Sequence, residues 1–173
     1  EESFSSDSIT SICGILNGTT NFILTRMNEG MGYGEALKKA QELGFAEKDP
    51  SFDVEGKDAA QKIFLLASLA FDAKFSEEPF TCGITDLTKK DMDYAKELGY
   101  SIKLLAIAKK ENGKVEIRVQ PSMVPLSSLF SGVNNEINAV LLSGKQTGEI
   151  FLSGKGAGKL PTATVVVTDI IEL

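Results

Sequence analysis

A chain of 173 residues with 42% apolar and 24% charged residues has the size of one globular domain, and this composition excludes disordered and collagen-like proteins. The net charge of −6 comes from 24 acidic and 18 basic residues without a block of about five or more like charges, which argues against nucleic acid as a partner. No apolar stretch approaches the roughly 18 residues of a membrane-spanning helix, so no membrane partner is expected.

The first segment predicts a strand that runs into a helix. Ile9 to Leu16 is rich in β-branched residues and ends before the turn-prone pair Asn17-Gly18, as a strand does at a loop. Thr19 or Thr20 is expected to cap the helix that follows, because apolar residues then recur at helical spacing. Gly30 is expected to close that helix.

The next segment predicts two helices separated by a long loop. The first runs from about Tyr33 to Leu43 and ends at Gly44. Its apolar face is expected to consist of Ala36, Leu37, Ala40 and Leu43. Phe45 to Lys57 has no apolar periodicity and is expected to be an irregular loop, longer than most loops without a function. Asp58 to Phe71 is apolar over most of its circumference, which predicts the central core helix.

The middle of the chain predicts a short helix and then a β-hairpin. The helix lies near Thr88 to Leu98. Ser101 to Lys109 and Val115 to Gln120 alternate as strands do, and Glu111-Asn112-Gly113 between them is typical of a hairpin turn. Pro121 and Pro125, which follow, are expected to break the second strand.

The last part of the chain completes an α+β pattern. A helical turn is expected near Leu126 to Phe130, strands are expected at Glu136 to Leu142 and Gly148 to Ser153, and a helix with Pro161 in its first turn is expected to reach Leu173. Helices followed by sequential antiparallel strands indicate an α+β fold, with a mixed, largely antiparallel sheet and helices packed on one face.

Two cysteines, Cys13 and Cys82, lie in apolar surroundings without CxxC spacing, and the chain contains no histidine. A zinc site and a cysteine–histidine catalytic pair both need partners that this sequence does not supply. The interpretation we favour is two buried, reduced thiols in a cytoplasmic protein.

Asp58 and Lys62 lie one turn apart on the predicted core helix and are therefore neighbours on its surface. An ordinary surface salt bridge is one interpretation. On a helical wheel their stripe continues into Leu65 and Leu69, so the pair is expected to point inward. A half-buried ion pair of this kind indicates a functional site, which is the other interpretation.

Four carboxylates precede this helix in one loop: Glu47, Asp49, Asp53 and Glu55. Such a density suits a cationic group such as a substrate ammonium. It suits a divalent metal with oxygen ligands almost as well. A solvated acidic loop remains the third interpretation.

Two other segments carry candidate binding residues. In Gly154 to Ala163 (GKGAGKLPTA), glycines at the passage from strand to helix could bring backbone N–H groups to an anion, although the spacing alone favours a tight turn. No βαβ unit accompanies it, so a self-contained dinucleotide fold is excluded. In Gly14 to Ile23 (GILNGTTNFI), the polar residues around Gly18 favour a turn with a helix cap.

Together these segments resemble the homoserine dehydrogenase family. GILNGTTNFILTRM, GFAEKDPSFDVEGKDAAQKIFLLASLAF and GKGAGKLPTATVVVTDI occur in that family's order and spacing, and the resemblance extends from about Ile12 to the C-terminus. It implies the family's catalytic-domain fold and a cytoplasmic homodimer. It also implies oxidation of L-homoserine to L-aspartate 4-semialdehyde with NAD or NADP, whose reverse lies on the route to threonine and methionine.

The resemblance assigns roles to individual residues. Glu47 and Asp58 are implied to be carboxylates associated with the substrate and an ordered water, and Lys62 the lysine near the reacting hydroxyl. The other implied substrate-site residues are Gly18, Thr19, Phe45 and Asp53. Gly158 is implied to face the dinucleotide, and no metal ligand is implied. Phe45 stands where some relatives have tyrosine, so the hydroxyl contact of those enzymes is absent.

The family's nucleotide-binding domain, with a GxGxxG turn and a further catalytic lysine, precedes the matching region and is not in this sequence. Residues 1–173 are therefore expected to be one substrate-binding and catalytic domain, inactive alone, with residues 154–173 packing onto the missing domain. Lys62 is implied to act as a general base or as a charged stabiliser during hydride transfer. The alternative is a dimerisation and folding module without turnover.

Overall fold

Six strands form one sheet in the computed structural model, which describes residues 7–172. In chain order they are β1 (Ile9–Ile15), β2 (Phe80–Thr81), β3 (Tyr100–Glu111), β4 (Lys114–Pro125), β5 (Ile137–Gly144) and β6 (Glu149–Lys155). Their order across the sheet is β2-β4-β3-β1-β5-β6, and the pairings are antiparallel apart from that of β2 with β4. The largely antiparallel, mixed sheet that the sequence predicts is thereby confirmed.

The helices lie mainly before β3 in the chain. They are α1 (Gly18–Asn28), α2 (Tyr33–Glu42), α3 (Ser51–Val54), α4 (Lys57–Phe71), α5 (Lys89–Glu97) and α6 (Lys159–Glu172), with a 3₁₀ turn at Leu129–Gly132. Helices α1, α4 and α5 contact the central strands. None of the helices in residues 7–172 is long and apolar enough to cross a membrane.

Side chains of β3 alternate between two apolar clusters, as successive residues of a strand must. Leu104 and Ala106 face the helices and belong to the larger cluster, with Ile23 of α1 and Ile63 of α4. Leu105 faces the opposite side and belongs to a smaller cluster that the 3₁₀ turn covers. The helices are therefore packed on one face of the sheet, and the α+β fold class is confirmed.

Helix α1 begins two or three residues earlier than the threonine caps predict. Its N-cap is Asn17, whose side-chain Oδ1 accepts a hydrogen bond from the backbone N–H of Thr20 at 2.8 Å. Thr19 and Thr20 lie inside the first turn, so the expectation that one of them is the cap is wrong. Asparagine caps a helix at least as well as threonine does, and only Leu16 separates it from the end of β1, so the helix starts after a very short connection.

Helix α2 and the loop after it differ from the prediction in detail. Ala36 and Ala40 are buried as expected, but Leu43 is exposed because it is the C-cap residue, beyond the helical face. The segment predicted to be an irregular loop contains the single-turn helix α3, which buries Val54 and leaves Phe52 exposed. One turn is too short to show a helical period in the sequence.

Helix α4 is turned differently from the prediction. Leu65 and Leu69 have 62% and 78% of their surface exposed. The buried stripe runs instead through the residues Ala59, Ala60, Ile63, Ala67 and Phe71. Small side chains let the helix approach the sheet closely, so the larger leucines remain outside. The continuation of the stripe through Leu65 and Leu69 therefore points outward, which the wheel does not predict. The pair itself is partly buried, with the side chains of Asp58 and Lys62 20% and 49% exposed.

The predicted hairpin is present and longer than expected. β3 and β4 pair from Tyr100–Pro125 to Glu111–Lys114, and Pro121 pairs within the ladder with Leu104. The expectation that Pro121 and Pro125 break the strand is wrong. β2 pairs with β4 at Arg118 and Val119, so the outer edge of β4 beyond that point is unpaired, and a proline there lacks no ladder bond.

The C-terminal elements follow the prediction, with shifted ends. β5 and β6 occur where two strands are expected, and α6 begins at Lys159, two residues before Pro161. Leu173, the predicted end of the helix, lies outside the described residues. Cys13 is partly buried, and burial raises the pKa of its thiol to about 11. Cys82 is exposed, contrary to expectation, because it follows the marginal strand β2.

Candidate functional site

The N-cap residue of α1 joins three separate segments of the chain. Asn17 is 5% exposed, and its Nδ2 donates to Asp53 Oδ1 at 2.6 Å and to Asp58 Oδ2 at 2.9 Å. One amide thus fixes the start of α1, Asp53 of α3 and the first turn of α4 relative to one another. The sequence identifies Asn17 only as a turn or cap residue, and its cross-chain role has no local signal.

Lys62 is oriented by two oxygen atoms. Its Nζ donates to Asp58 Oδ2 at 2.7 Å and to the backbone carbonyl of Leu16 at 3.2 Å. The side chain of Lys62 is 49% exposed and that of Asp58 20%. The ammonium is therefore held on its inner side and open on its outer side, where a bound molecule can accept a further hydrogen bond.

Gly18 and Thr19 form the first turn of α1 beside this pair. A Cβ added to Gly18 would lie 2.8 Å from the carbonyl oxygen of Glu136, so only glycine fits there without a backbone shift. The hydroxyl of Thr19 donates to the carbonyl of Phe45 at 2.6 Å. The ring of Phe45 packs on that of Phe22 with a centroid distance of 4.8 Å. The predicted residues Gly18, Thr19 and Phe45 therefore adjoin one another.

The four carboxylates of the acidic loop have different surroundings. Asp53 alone among them contacts Asn17, as described above. Glu47 is exposed, and its backbone carbonyl accepts from Gln41. A hydrogen bond from the backbone N–H of Ser51 lowers the pKa of the Asp49 carboxyl, and Glu55 forms an ion pair with Lys57 at 2.6 Å. Within residues 7–172 no three histidine, cysteine or acidic side chains are grouped as a metal site.

The glycine-rich segment reaches the same region through Asn138 of β5. A Cβ added to Gly156 would lie 2.0 Å from Asn138 Nδ2, so the segment passes directly against this side chain. Asn138 Nδ2 also lies 3.5 Å from the Leu16 carbonyl that Lys62 contacts. Gly158 has a φ of +128°, which glycine adopts readily. The sequence reasoning missed Asn138, although a polar residue inside an apolar strand is a usable signal.

The arrangement offers a small molecule charges of both signs. Asp53 and Asp58 supply two carboxylates against the single ammonium of Lys62, so the local balance is negative and suits a cationic group. The open side of Lys62 can donate a hydrogen bond to a hydroxyl or carbonyl oxygen. A polar substrate that carries both an ammonium group and a reacting oxygen matches this pattern.

Comparisons with known proteins agree on one family. The family model for homoserine dehydrogenase matches residues 1–171. Among curated relatives, the homoserine dehydrogenase of Bacillus subtilis is 49% identical over 175 residues, which cover 100% of this chain and 40% of that protein. That of Neisseria gonorrhoeae is 45% identical and is matched over 99% of this chain and 40% of its own length. The chain thus spans about 40% of the length of these relatives.

Solved structures give the same result. A homoserine dehydrogenase from Thiobacillus denitrificans superimposes with a TM-score of 0.95 at 44% identity, over 98% of this chain and 40% of that one. A hyperthermophilic archaeal homoserine dehydrogenase mutant in complex with NADPH superimposes with a TM-score of 0.79 at 30% identity, over 99% of this chain and 49% of that one.

Proposed function

This chain belongs to the homoserine dehydrogenase family, and we propose that it forms the substrate-binding and catalytic half of an NAD(P)-dependent enzyme that interconverts L-homoserine and L-aspartate 4-semialdehyde. The observation that carries the proposal is the Asp58–Lys62 pair, which α1 holds through Asn17 and the Leu16 carbonyl. The reaction serves threonine and methionine biosynthesis in the cytoplasm.

Lys62 acts on the reacting oxygen. In the reduction of the aldehyde, its ammonium donates a hydrogen bond to the carbonyl oxygen and then gives up a proton as that oxygen becomes a hydroxyl. The bond from Nζ to Asp58 orients the ammonium and stabilises its charge. The contact with Asp58 supports a role of Lys62 as a hydrogen-bond and proton donor.

The other predicted residues bind and orient the substrate. Asp53, with Glu47 on the exposed part of the same loop, attracts the substrate ammonium, and Asp58 holds Lys62 and an ordered water. Gly18 and Thr19 line the site at the first turn of α1, where the absence of a Cβ lets the carbonyl of Glu136 pack against Gly18. Phe45 supplies an apolar wall and has no hydroxyl group.

NAD or NADP supplies the hydride acceptor or donor when it is bound. The chain suits its approach on one side, because Gly156 and Gly158 keep the backbone of the glycine-rich segment free of side chains where it passes Asn138. Gly158 is the residue we propose to face the dinucleotide. Most of the cofactor contacts belong to a nucleotide-binding domain outside these 173 residues.

Exposed apolar surface supports packing against such a domain. Helix α6 exposes a series of apolar side chains, Leu160, Val165, Val166, Val167, Ile170 and Ile171. Leu65 and Leu69 extend the exposed stripe of α4 away from Lys62. Contiguous apolar surface of this kind is typical of an interface. We therefore propose that residues 1–173 are one domain and that residues 154–173 pack on the nucleotide-binding domain, without which the chain is inactive.

The sheet face opposite the helices supports a homodimer. Ile107, Leu141 and Phe151 are partly buried apolar residues on that face, beside the small cluster around Leu105. A second copy of the chain covering the same surface would bury them. If turnover is absent and association is retained, the chain is the dimerisation and folding module instead.

A fused enzyme tests the proposed function. The part of the Bacillus subtilis relative that precedes the matched region is joined to this chain, and the gene is introduced into a bacterium that lacks homoserine dehydrogenase. We expect growth without added threonine and methionine, and no growth with this chain alone or with the Lys62→Met fusion. A folded, NADPH-binding fusion that does not restore growth would contradict the proposal.

A further inference from the structure

Lys103 is a lysine in the interior of the sheet. It lies in β3 and is 0% exposed, the largest of the fully buried side chains among the described residues. Its Nζ donates to the carbonyl oxygen of Val133 at 2.5 Å, to Asn134 Oδ1 at 3.1 Å and to Asn21 Oδ1 at 3.4 Å. None of these acceptors is a carboxylate, and burial lowers the pKa of Lys103 to about 8.

An amine in this position is costly if it serves only to fill space. Burying a charge without a partner of opposite charge is unfavourable, and a well-packed apolar side chain of similar volume is often at least as stabilising. A methionine would occupy the same volume as Lys103 without that cost. What lysine adds is a donor that can bind several acceptors at once, and all its acceptors lie on two segments, α1 and the chain just before β5.

The segment of residues 133–138 is fastened to α1 along its length. Asn21 Nδ2 donates to the carbonyls of Val133 and Ile137 at 3.1 and 3.0 Å. The backbone N–H of Asn135 donates to Thr25 Oγ1 at 3.0 Å. Lys103 donates to both the carbonyl of Val133 and the side chain of Asn21, which also bond to each other. It therefore joins segment 133–138, α1 and β3 in one network.

The far end of the same segment touches the substrate site. The carbonyl oxygen of Glu136 lies so close to Gly18 that a Cβ on residue 18 would clash with it. Asn138 lies between the Leu16 carbonyl and Gly156. The Leu16 carbonyl is also the acceptor of Lys62 Nζ. A shift of segment 133–138 therefore changes the position of the first turn of α1 and of the backbone that orients Lys62.

We propose that Lys103 is a positioning residue, which holds segment 133–138 against α1 and thereby fixes Gly18 and the Leu16 carbonyl at the substrate site. The inference rests on the proposed function for its kinetic consequence. Its structural consequence, a fixed first turn of α1, is independent of the reaction.

The test compares Lys103→Met with Lys109→Met. Both variants remove a lysine from β3, but Lys109 is exposed and pairs with Glu111. For the fused enzyme with Lys103→Met, we expect kcat/KM for homoserine to fall about tenfold, as small misplacements of reacting groups do, while KM for NADPH and the melting temperature stay near those of the parent. Lys109→Met should leave all of these values unchanged.

Amide hydrogen exchange in the 173-residue chain gives a readout that needs no activity. We expect the amides of Thr20 and Asn21, which donate to Asn17 in the first turn of α1, to exchange at least about fivefold faster in Lys103→Met, with the rest of β3 and the hairpin unaffected. Uniformly faster exchange together with a lower melting temperature would show that Lys103 only stabilises the fold and would overturn the proposal. Unchanged exchange and kinetics would overturn it as well.

A second variant keeps the test decisive if Lys103→Met does not fold. Asn134→Ala removes one acceptor at the exposed end of the network and empties no core volume. It should produce changes of the same kind and of smaller size, about threefold in kcat/KM. Parental values for Asn134→Ala would then contradict the proposal. If the parent fusion has no turnover, the proposed function fails, and the exchange measurements alone decide the role of Lys103.

Discussion

Asn17 shows how a residue that is ordinary in sequence becomes central in the fold. Its cap function could be anticipated from its position before a helix, since asparagine is a preferred N-cap residue. Its bonds to Asp53 and Asp58 could not, because these carboxylates lie more than thirty positions away and no local pattern encodes such a contact. The resemblance to a family identified the carboxylates, and the structure adds the amide that holds them together.

Two substitutions separate the two roles of Asn17. Asn17→Asp retains a good cap but places a third carboxylate against Asp53 and Asp58, so we expect near-parental stability of α1 and a large loss of turnover. Asn17→Ala loses the cap and should cost about 1 kcal/mol of stability. Thermal melting and kinetics of the fused enzyme measure both effects. Equal activity of Asn17→Asp and the parent would show that the amide donor is not needed.

Lys62 can be probed by charge. Lys62→Met removes the donor and should lower kcat by about 10²- to 10⁴-fold, the usual contribution of a general acid or base. Lys62→Arg keeps a positive charge beside Asp58 but cannot lose a proton near neutral pH. We expect this variant to have low turnover and a pH dependence that differs from that of the parent. Full turnover with an unchanged pH profile would eliminate the proton-transfer role.

Lys103 makes stability depend on pH in a defined direction. Its pKa is lowered from 10.5 to about 8 in the folded chain. Between these values the unfolded chain retains a proton that the folded chain has lost, so the free energy of unfolding rises with pH. From pH 8 to 9 we expect a rise of about 1 kcal/mol relative to Lys103→Met. Denaturant titrations of both proteins measure the difference.

The comparison with Lys103→Met cancels the opposing effect of Cys13, which both proteins contain. Burial raises the pKa of its thiol from 9.0 to about 11, so the unfolded chain releases this proton first and stability falls as the pH rises through that range. Parallel stability curves of the parent and Lys103→Met between pH 8 and 9 would contradict the lowered pKa of Lys103.

At the scale of elements, the sequence predicts the types of helix and strand better than their orientation. The β3–β4 hairpin could be predicted because alternation and the Asn-Gly turn are both local. The face of α4 that packs on the sheet could not be predicted. Leucine is more apolar than alanine, but the close approach of the helix to the sheet selects alanine. The sequence predicts that Pro121 breaks the strand, because the open edge of β4 that accommodates this proline is a property of the whole sheet and not of the local sequence.

The glycine-rich segment between β6 and α6 allows a matched comparison. Gly156→Ala places a Cβ 2.0 Å from Asn138 Nδ2, so Asn138 or the segment must move. A Cβ at Gly154 meets nothing within 4 Å. We expect Gly156→Ala to raise KM for the dinucleotide about tenfold, as displacement of a binding loop does, and Gly154→Ala to leave it unchanged. Steady-state kinetics of the fused enzyme would contradict this if the two variants behave alike.

At the scale of the whole molecule, the described residues 7–172 leave two apolar surfaces exposed. We propose that a second copy of the chain covers the free sheet face and that a nucleotide-binding domain covers the α6 surface. Leu141→Asp introduces a charge on the free face, whereas Leu152 of the neighbouring strand pairs with Val140 and lies on the other face of the sheet. We expect Leu141→Asp to convert a dimer to a monomer in sedimentation and Leu152→Asp to leave the dimer intact. Identical sedimentation of both variants would move the interface elsewhere.

The proposed division of labour between two domains is the central claim, and turnover of the fused enzyme tests it most directly. The measurement is the oxidation of NADPH that depends on L-aspartate 4-semialdehyde, with L-homoserine identified as the product. We expect steady turnover by the fusion and none by the 173-residue chain or by the Lys62→Met fusion. Turnover that survives Lys62→Met, or a folded fusion that binds NADPH without reducing the aldehyde, would contradict the account.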